Sequence, residues 1–179
     1  MSSPQRILVY GVTGSGKTTL ARRIGEITGL PWHCMDDEVG WLPGWVERPV
    51  EEQVNMVARL VAAEMWVLDT AYGHWRDLVL ARTDLVVALD YPRWISLSWL
   101  LRRTLRRAAT GETVCNGNTE SWRKVFSLDS ILVWHFRSFA RKRTRIAALE
   151  TDLNAPPVLR LGSPSATERW LKTLHDEHV

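Results

Sequence analysis

A parallel α/β fold is predicted by three features of the sequence. Short apolar runs ending at glycine or aspartate alternate with amphipathic stretches of helical spacing. The runs are nearly continuous in apolar residues rather than alternating, as in strands covered on both faces. Between the first run and the first amphipathic stretch lies a glycine-rich turn, Gly11-Val-Thr-Gly-Ser-Gly-Lys17-Thr18.

Taken in order, residues 6–10 form an apolar run that stops at Gly11, the first expected strand. Residues 17–28 follow as a helix with Leu20, Ile24 and Ile27 on one face, stopped by Gly29 with Pro31 beyond. Residues 32–35 give a short second strand. Residues 36–49 contain Gly40, Pro43, Gly44 and Pro49 and read as a loop. A helix over 50–63, a strand over 65–69, a helix over 75–81 and a strand over 84–90 come next. From 93 to 108 an apolar stripe of Trp94, Leu97, Leu101, Leu105 and Ala108 predicts a helix packed through that face. Residues 110–119 are polar and glycine-bearing, hence a mobile loop; 121–149 read as one long helix or a broken pair. Residues 156–161 supply a last strand, and Ser163-Pro164 cap and open the final helix.

The 179 residues fit a single domain, 1–179. Apolar content of 45% and charged content of 24% exclude wholesale disorder. The longest apolar stretch, 54–68, is broken by Arg59 and Glu64, so no membrane span or membrane partner is expected. The opening residues lack an apolar signal core, which points to the cytoplasm. Cys34 and Cys115 form no CxxC pair and set neither a disulfide framework nor a zinc site. Charge is uneven. Between Leu101 and Arg145 eleven Lys and Arg face three acids, a net +8 in a chain whose total is +3. That asymmetry calls for an anionic ligand.

Gly11, Gly16, Lys17 and Thr18 satisfy the spacing G-x-x-x-x-G-K-[ST]. Glycines let main-chain N–H groups turn toward phosphate oxygens, and the following helix adds the positive end of its dipole. Thr13, Gly14, Ser15 and Thr19 complete this nucleotide-binding loop. Lys17 is expected to reach the β- and γ-phosphates of ATP, and the Thr18 hydroxyl to ligate Mg2+. Asp69 ends the third strand, where a carboxylate holds the metal or its water. Asp90 ends the next strand in the same way, but the following Tyr-Pro-Arg reads as a turn. Asp36 and Asp37 follow the second strand, at the sheet edge where ligands gather, as a base for a hydroxyl acceptor or to orient a phosphate. Trp41 and Trp45 flank Pro43-Gly44 and could line a flat acceptor or pack. The other tryptophans, Trp94, Trp99 and Trp134 among them, are expected to fill the core. Arg102, Arg103, Arg106 and Arg107 end one helix, and Arg137, Arg141 and Arg145 share a face of the next. His33, His74 and His135 show no ligand spacing.

On these residues the chain resembles the adenylate-kinase-like P-loop kinases. More specifically it resembles bacterial topology-modulation-type and adenylate-kinase-like proteins, especially an actinobacterial branch. The matching segments are the phosphate loop, the Asp36-to-Trp45 run, Trp66-Val-Leu-Asp-Thr-Ala-Tyr72, Leu89-Asp-Tyr-Pro-Arg-Trp94, Cys115-Asn-Gly-Asn118 and Trp134-His-Phe-Arg-Ser-Phe-Ala-Arg141. The resemblance implies a three-layer P-loop NTPase fold with a five-stranded parallel sheet, like that of the nucleoside monophosphate kinases, and a central phosphate-loop strand. It implies an acceptor-binding segment over 36–63, with Tyr72 nearby, and a lid over 106–123. Arg102 and Arg106 before the lid, and Arg137 and Arg141 after it, are then the phosphate contacts. The lid lacks zinc cysteines and a long insert, and the acceptor segment lacks a Thr-Gly-Asp-type run that holds AMP.

The expected activity is transfer of the γ-phosphoryl group of Mg-ATP to a nucleotide or other small acceptor, by a monomer or dimer. Lys17, Asp69 and the lid arginines would carry the chemistry. Two other readings stay open: a nucleotide-gated nucleic-acid-binding regulator, motivated by the +8 segment, and an ATPase without an acceptor.

Overall fold

The structure, a computed structural model, describes residues 3–114, 116–119 and 131–178. Cys115, Trp122, the end of the expected lid and the first part of the 121–149 helix lie outside the described residues. The first half of the chain runs β1 (Arg6–Gly11), α1 (Lys17–Thr28), β2 (Trp32–His33), β3 (Trp41–Leu42), β4 (Val46–Glu47), α2 (Val50–Val61), β5 (Trp66–Leu68) and α3 (Arg76–Leu80). It continues with β6 (Leu85–Leu89), α4 (Arg93–Thr110), β7 (Thr113–Val114), β8 (Asn118–Thr119), α5 (Ile131–Thr151), β9 (Val158–Leu161) and α6 (Pro164–Asp176).

Five strands make one parallel sheet in the order β2-β5-β1-β6-β9. Because side chains alternate along a strand, β1 feeds two cores at once. Leu8 and Tyr10 join Trp66, Leu68 and Val86 under α2, α3 and α5. Ile7 and Val9 join Val67, Val87 and Leu89 under α1 and α6. Three layers result. The first strand after β1 lies to one side of it, and β6 and β9 to the other. The strand order therefore reverses at β1, and its carboxyl end is the place where an open α/β sheet leaves a crevice. No helix among the described residues is long and apolar enough to cross a membrane.

Helix ends follow their local signals. Gly29 caps α1 in the left-handed region (φ 75°), and its N–H returns to the carbonyl of Gly25. Ser163 caps α6 by accepting from the Ala166 N–H at 3.2 Å, with Pro164 in the first turn.

Several expectations need correction. The second and third strands are shorter than read, two and three residues, because edge position and the turn at Asp69 end their pairing early. Residues 36–49 are not a plain loop. A wide helical turn, Asp36–Gly40, leads into an antiparallel β3–β4 hairpin whose tip holds Gly44 and Trp45 at positive φ (81° and 60°). Residues 110–119 likewise hold an antiparallel β7–β8 hairpin, turned by Asn116 and Gly117 at φ 62° and 80°. Glycines and prolines concealed the first and polar composition the second.

The largest correction concerns α4. Its apolar stripe does not face the core: Trp94 is 71% exposed, and Leu101 and Leu105 are also exposed. The buried face is Ser96, Leu100 and Thr104. The reason lies across from it, at Gly14 of the phosphate loop (φ 83°). A Cβ built there would meet Leu100 Cβ and the Ser96 carbonyl oxygen at 2.7 Å. Close approach of loop to helix demands a small, mostly polar helix face, and the bulky stripe turns outward. Ser96 also bonds His135 Nε2 at 2.9 Å, joining α4 to α5 beneath the loop. Of the tryptophans read as core, Trp75 is buried, whereas Trp94, Trp99 and Trp134 are exposed.

Asp90 is structural in this fold. Its nearly buried carboxylate takes Arg143 Nε at 2.8 Å and Arg160 Nε at 2.9 Å, tying β6 to α5 and β9. Replacing it with asparagine removes charge-assisted bonds, a loss of about 1–3 kcal/mol. Asp90→Asn is expected to lower the denaturant midpoint by that amount while leaving Mg-nucleotide affinity, measured by calorimetry, unchanged.

Candidate active site

The loop between β1 and α1 is closed by one carbonyl. Val12 O accepts from the Ser15 N–H at 3.2 Å, the Ser15 hydroxyl at 2.8 Å and Lys17 Nζ at 3.1 Å. Ser15 is buried; Thr13, Gly14 and Gly16 are half-buried around the turn, and Gly11 packs against β6 at its base. Gly16 (φ 89°) is the N-cap of α1, with no side chain covering the helix's first N–H groups. An anion seated there meets the positive end of the helix.

Thr18 and Asp69 meet. The Thr18 hydroxyl donates to Asp69 Oδ2 at 2.6 Å, and the Met35 N–H donates to Oδ1 at 2.9 Å. Asp69 is 2% exposed, and burial pushes its carboxyl above the usual carboxylate range against the pull of these two donors. Hydroxyl and carboxylate are hard oxygen donors suited to Mg2+. Among the described residues no three His, Cys, Asp or Glu side chains cluster as a metal site. A divalent cation here would thus rest on Thr18, Asp69 and the nucleotide's own phosphates, the usual manner for magnesium.

The segment read in the sequence as acceptor-binding begins one residue after Met35. Asp36 accepts from the Tyr72 hydroxyl through Oδ1. Gly40 makes room for this bond, since a Cβ on it would lie 2.7 Å from the Tyr72 oxygen. Asp37 is exposed, and its contribution is a carbonyl bonded by Asn116. Of the two, it is the charge of Asp36 that acts on Lys17. Burial lowers the pKa of the Lys17 ammonium; Asp69 and Asp36 oppose that, and Arg103 adds to it. Trp41 and Trp45 stand edge to face, centroids 5.8 Å apart. The β7–β8 hairpin holds them. Asn116 Nδ2 donates to the Asp37 and Trp41 carbonyls, both at 2.6 Å, while Asn118 takes the Trp45 N–H at 2.6 Å and donates to the Leu42 carbonyl at 3.0 Å.

The arginines are placed less simply. Arg106 pairs with Glu112 at 3.0 Å. Arg102 is exposed, and with Trp99, Arg103 and Arg106 it lines a cleft of about 230 Å³. A second cleft of about 170 Å³ runs from Ser15, Gly16 and Thr19 past Trp99 to Pro164. Trp99 belongs to both clefts, as a flat ring beside the phosphate loop. Arg137 is exposed on α5, and Arg141 lies over the Trp134 ring at 5.5 Å.

Sequence reasoning placed Trp99 in the core and Arg103 only within the helix-end group, and it missed Lys142. Lys142 Nζ sits 4.2 Å from the centroid of Tyr10, and burial together with the charges of Lys17, Arg76 and Arg141 depresses its pKa to about 7. The signal was available: Lys142 occupies the inward stripe of α5 between Phe139 and Ile146, where an apolar residue is the rule.

Known proteins share this fold. Over nearly its whole length the chain matches in fold a shikimate kinase from Acinetobacter baumannii in complex with shikimate. The TM-score is 0.59 at 18% identity, covering 97% of this chain and 92% of that one. A gluconokinase from Sinorhizobium meliloti 1021 matches at TM-score 0.52 and 15% identity over 98% of each chain. The fold is that of the P-loop kinases. A Bacteroides thetaiotaomicron shikimate kinase adds a match at TM-score 0.54 and 18% identity over 98% of each chain. No family model matches. In sequence, 66 residues are 39% identical to HslU, the ATPase subunit of an ATP-dependent protease from Staphylococcus aureus; they make up 35% of this chain and span 14% of that protein's length.

Asp69→Asn keeps an acceptor for Met35 and a polar partner for Thr18 while removing the negative charge. The variant is expected to melt no lower than the parent, yet to bind Mg-nucleotide at least tenfold more weakly. Calorimetric titration with and without magnesium measures this; equal affinity would remove Asp69 from the metal's side of the site.

Proposed function

We propose that the chain transfers the γ-phosphoryl group of Mg-ATP to a hydroxyl of a small acceptor. One observation carries the reading: Asp69 and Asp36 both act on the Lys17 ammonium of the phosphate loop, and Asp69 is bonded to the adjoining Thr18. The ammonium that would hold a donor's phosphates thus feels both a metal-side carboxylate and a carboxylate with one oxygen left for an acceptor. Asp36 has Oδ1 occupied by Tyr72, which orients the carboxylate and leaves Oδ2 for an acceptor hydroxyl.

The triphosphate would lie along residues 11–18, its base against Trp99. Magnesium, held between Thr18, Asp69 and the phosphates, would supply neutralisation of the β- and γ-oxygens. Lys17 follows the charge of the moving phosphoryl group. The acceptor oxygen attacks the γ-phosphorus, the bond to the β,γ-bridging oxygen breaks, and the hydroxyl proton passes to Asp36 as ADP leaves. Arg103, and Arg102 beside it, extend positive charge toward the same space. The solved kinases of this fold act on shikimate or are named for gluconate, both hydroxylated small molecules, which agrees with a hydroxyl acceptor.

A nucleic-acid partner is less favoured, because much of the positive segment is already matched. Arg106 and Arg107 share Glu112, Arg143 joins Asp90, and Arg145 lies 3.5 Å from Asp77.

The test is an acceptor screen over nucleosides, sugars, hydroxy acids and nucleoside monophosphates, following ADP release. Lys17→Ala is expected to lose transfer by on the order of 10²–10³-fold or more. Asp36→Asn should lower kcat with ATP affinity unchanged. A folded wild-type chain that releases ADP with no acceptor in the panel contradicts the kinase reading.

A further inference from the structure

The inward face of α5 carries a charge that no carboxylate among the described residues pairs with. His135, Ser138, Phe139, Ile146 and Leu149 are buried along it, and Lys142 interrupts them at the carboxyl end of β1. Its ammonium rests over Tyr10, itself 2% exposed. Among the described residues no carboxylate pairs with it. The charges that act on it are Lys17 from α1, Arg76 from α3 and Arg141 from α5, all positive, with Asp36 the single acid. Arg76 and Arg145 also act on the Tyr10 hydroxyl. Both lean on Asp77, at 3.3 and 3.5 Å, but that carboxylate is 80% exposed and screens little of the interior.

A half-buried ammonium among like charges is costly unless an anion joins it. A methionine would fill the same stripe at less cost. The ring below can hold a cation but cannot neutralise it. From this cluster we infer that Lys142, with Arg76 and Arg141, receives an anionic group, a carboxylate or phosphate monoester, carried by the acceptor. This rests on the kinase reading for the word acceptor, but the anion site stands on its own geometry. Asp36 then takes the acceptor's hydroxyl and Lys142 its anion, so the acceptor is a hydroxylated anion held at two points. A neutral analogue would leave the ammonium unmatched, which makes Lys142 a specificity residue.

The depressed pKa of about 7 gives the inference a second readout. An arriving anion favours the charged amine, so binding should take up a proton above that pH and little below it.

The experiment fills the phosphate loop first, by titration with magnesium and a non-hydrolysable ATP analogue; failure to saturate counts against the kinase reading alone. With or without that analogue, the protein is titrated with inorganic phosphate at pH 8 in two buffers of different ionisation heat. Expected are saturable binding with proton uptake, at least tenfold weaker binding without uptake in Lys142→Met, and partial recovery of affinity in Lys142→Arg. Because Lys142→Met removes an unmatched charge from the interior, its melting temperature should hold or rise, which separates lost binding from lost fold. Paired probes, AMP against adenosine and gluconate against glucose, then distinguish phosphate from carboxylate. No saturable phosphate binding, or binding and proton uptake equal in wild type and Lys142→Met, overturns the inference. So does a neutral member of either pair that binds as well as its charged partner.

Discussion

The mouth of this sheet is organised by a single buried carboxylate, that of Asp69. Removed from water, it would be costly without donors. Thr18 supplies one from the first turn of α1, and the main chain of Met35 supplies the other. Those two bonds do more than satisfy oxygen atoms. They fix the phosphate loop's hydroxyl to the end of β5, and they fix the residue before Asp36 to the same point. Thr18 of the phosphate loop and the start of the 36–49 segment are therefore tied to one side chain.

A second constraint acts from beneath. The loop can lie close to α4 only because Gly14 has no side chain and α4 shows it Ser96 and Leu100. That closeness brings Trp99, Arg102 and Arg103 alongside the loop, and turns the helix's larger apolar residues to solvent. Ser96 in turn bonds His135, so α5 is registered against α4, and Lys142 is carried to its position over Tyr10. The charges on the two sides of the site thus follow from the packing of a glycine.

Much of this was legible in the sequence. The phosphate loop, its strand and its helix follow from spacing and periodicity, because each is a local signal repeated by its neighbours. Asp69 was readable as the residue after an apolar run. The exposed stripe of α4 was not, since amphipathic spacing shows that a face exists but not what lies opposite. The two hairpins escaped because each strand is only two residues long, too short for a period of two to register. Choosing between Asp36 and Asp37 needed the Tyr72 hydroxyl, which reaches Asp36 from another segment of the chain. Lys142 was visible as a lysine on an inward stripe, yet adjacent Arg141 and Arg143 made it look like one more surface charge.

The most direct test of this account is a double-mutant cycle between Thr18→Ala and Asp69→Asn, read as Mg-nucleotide affinity by calorimetry. If hydroxyl and carboxylate act as one unit around the metal, the second substitution should cost little after the first. The coupling should then be at least about 1 kcal/mol. Losses that add independently, or nucleotide binding indifferent to both substitutions, would contradict the account.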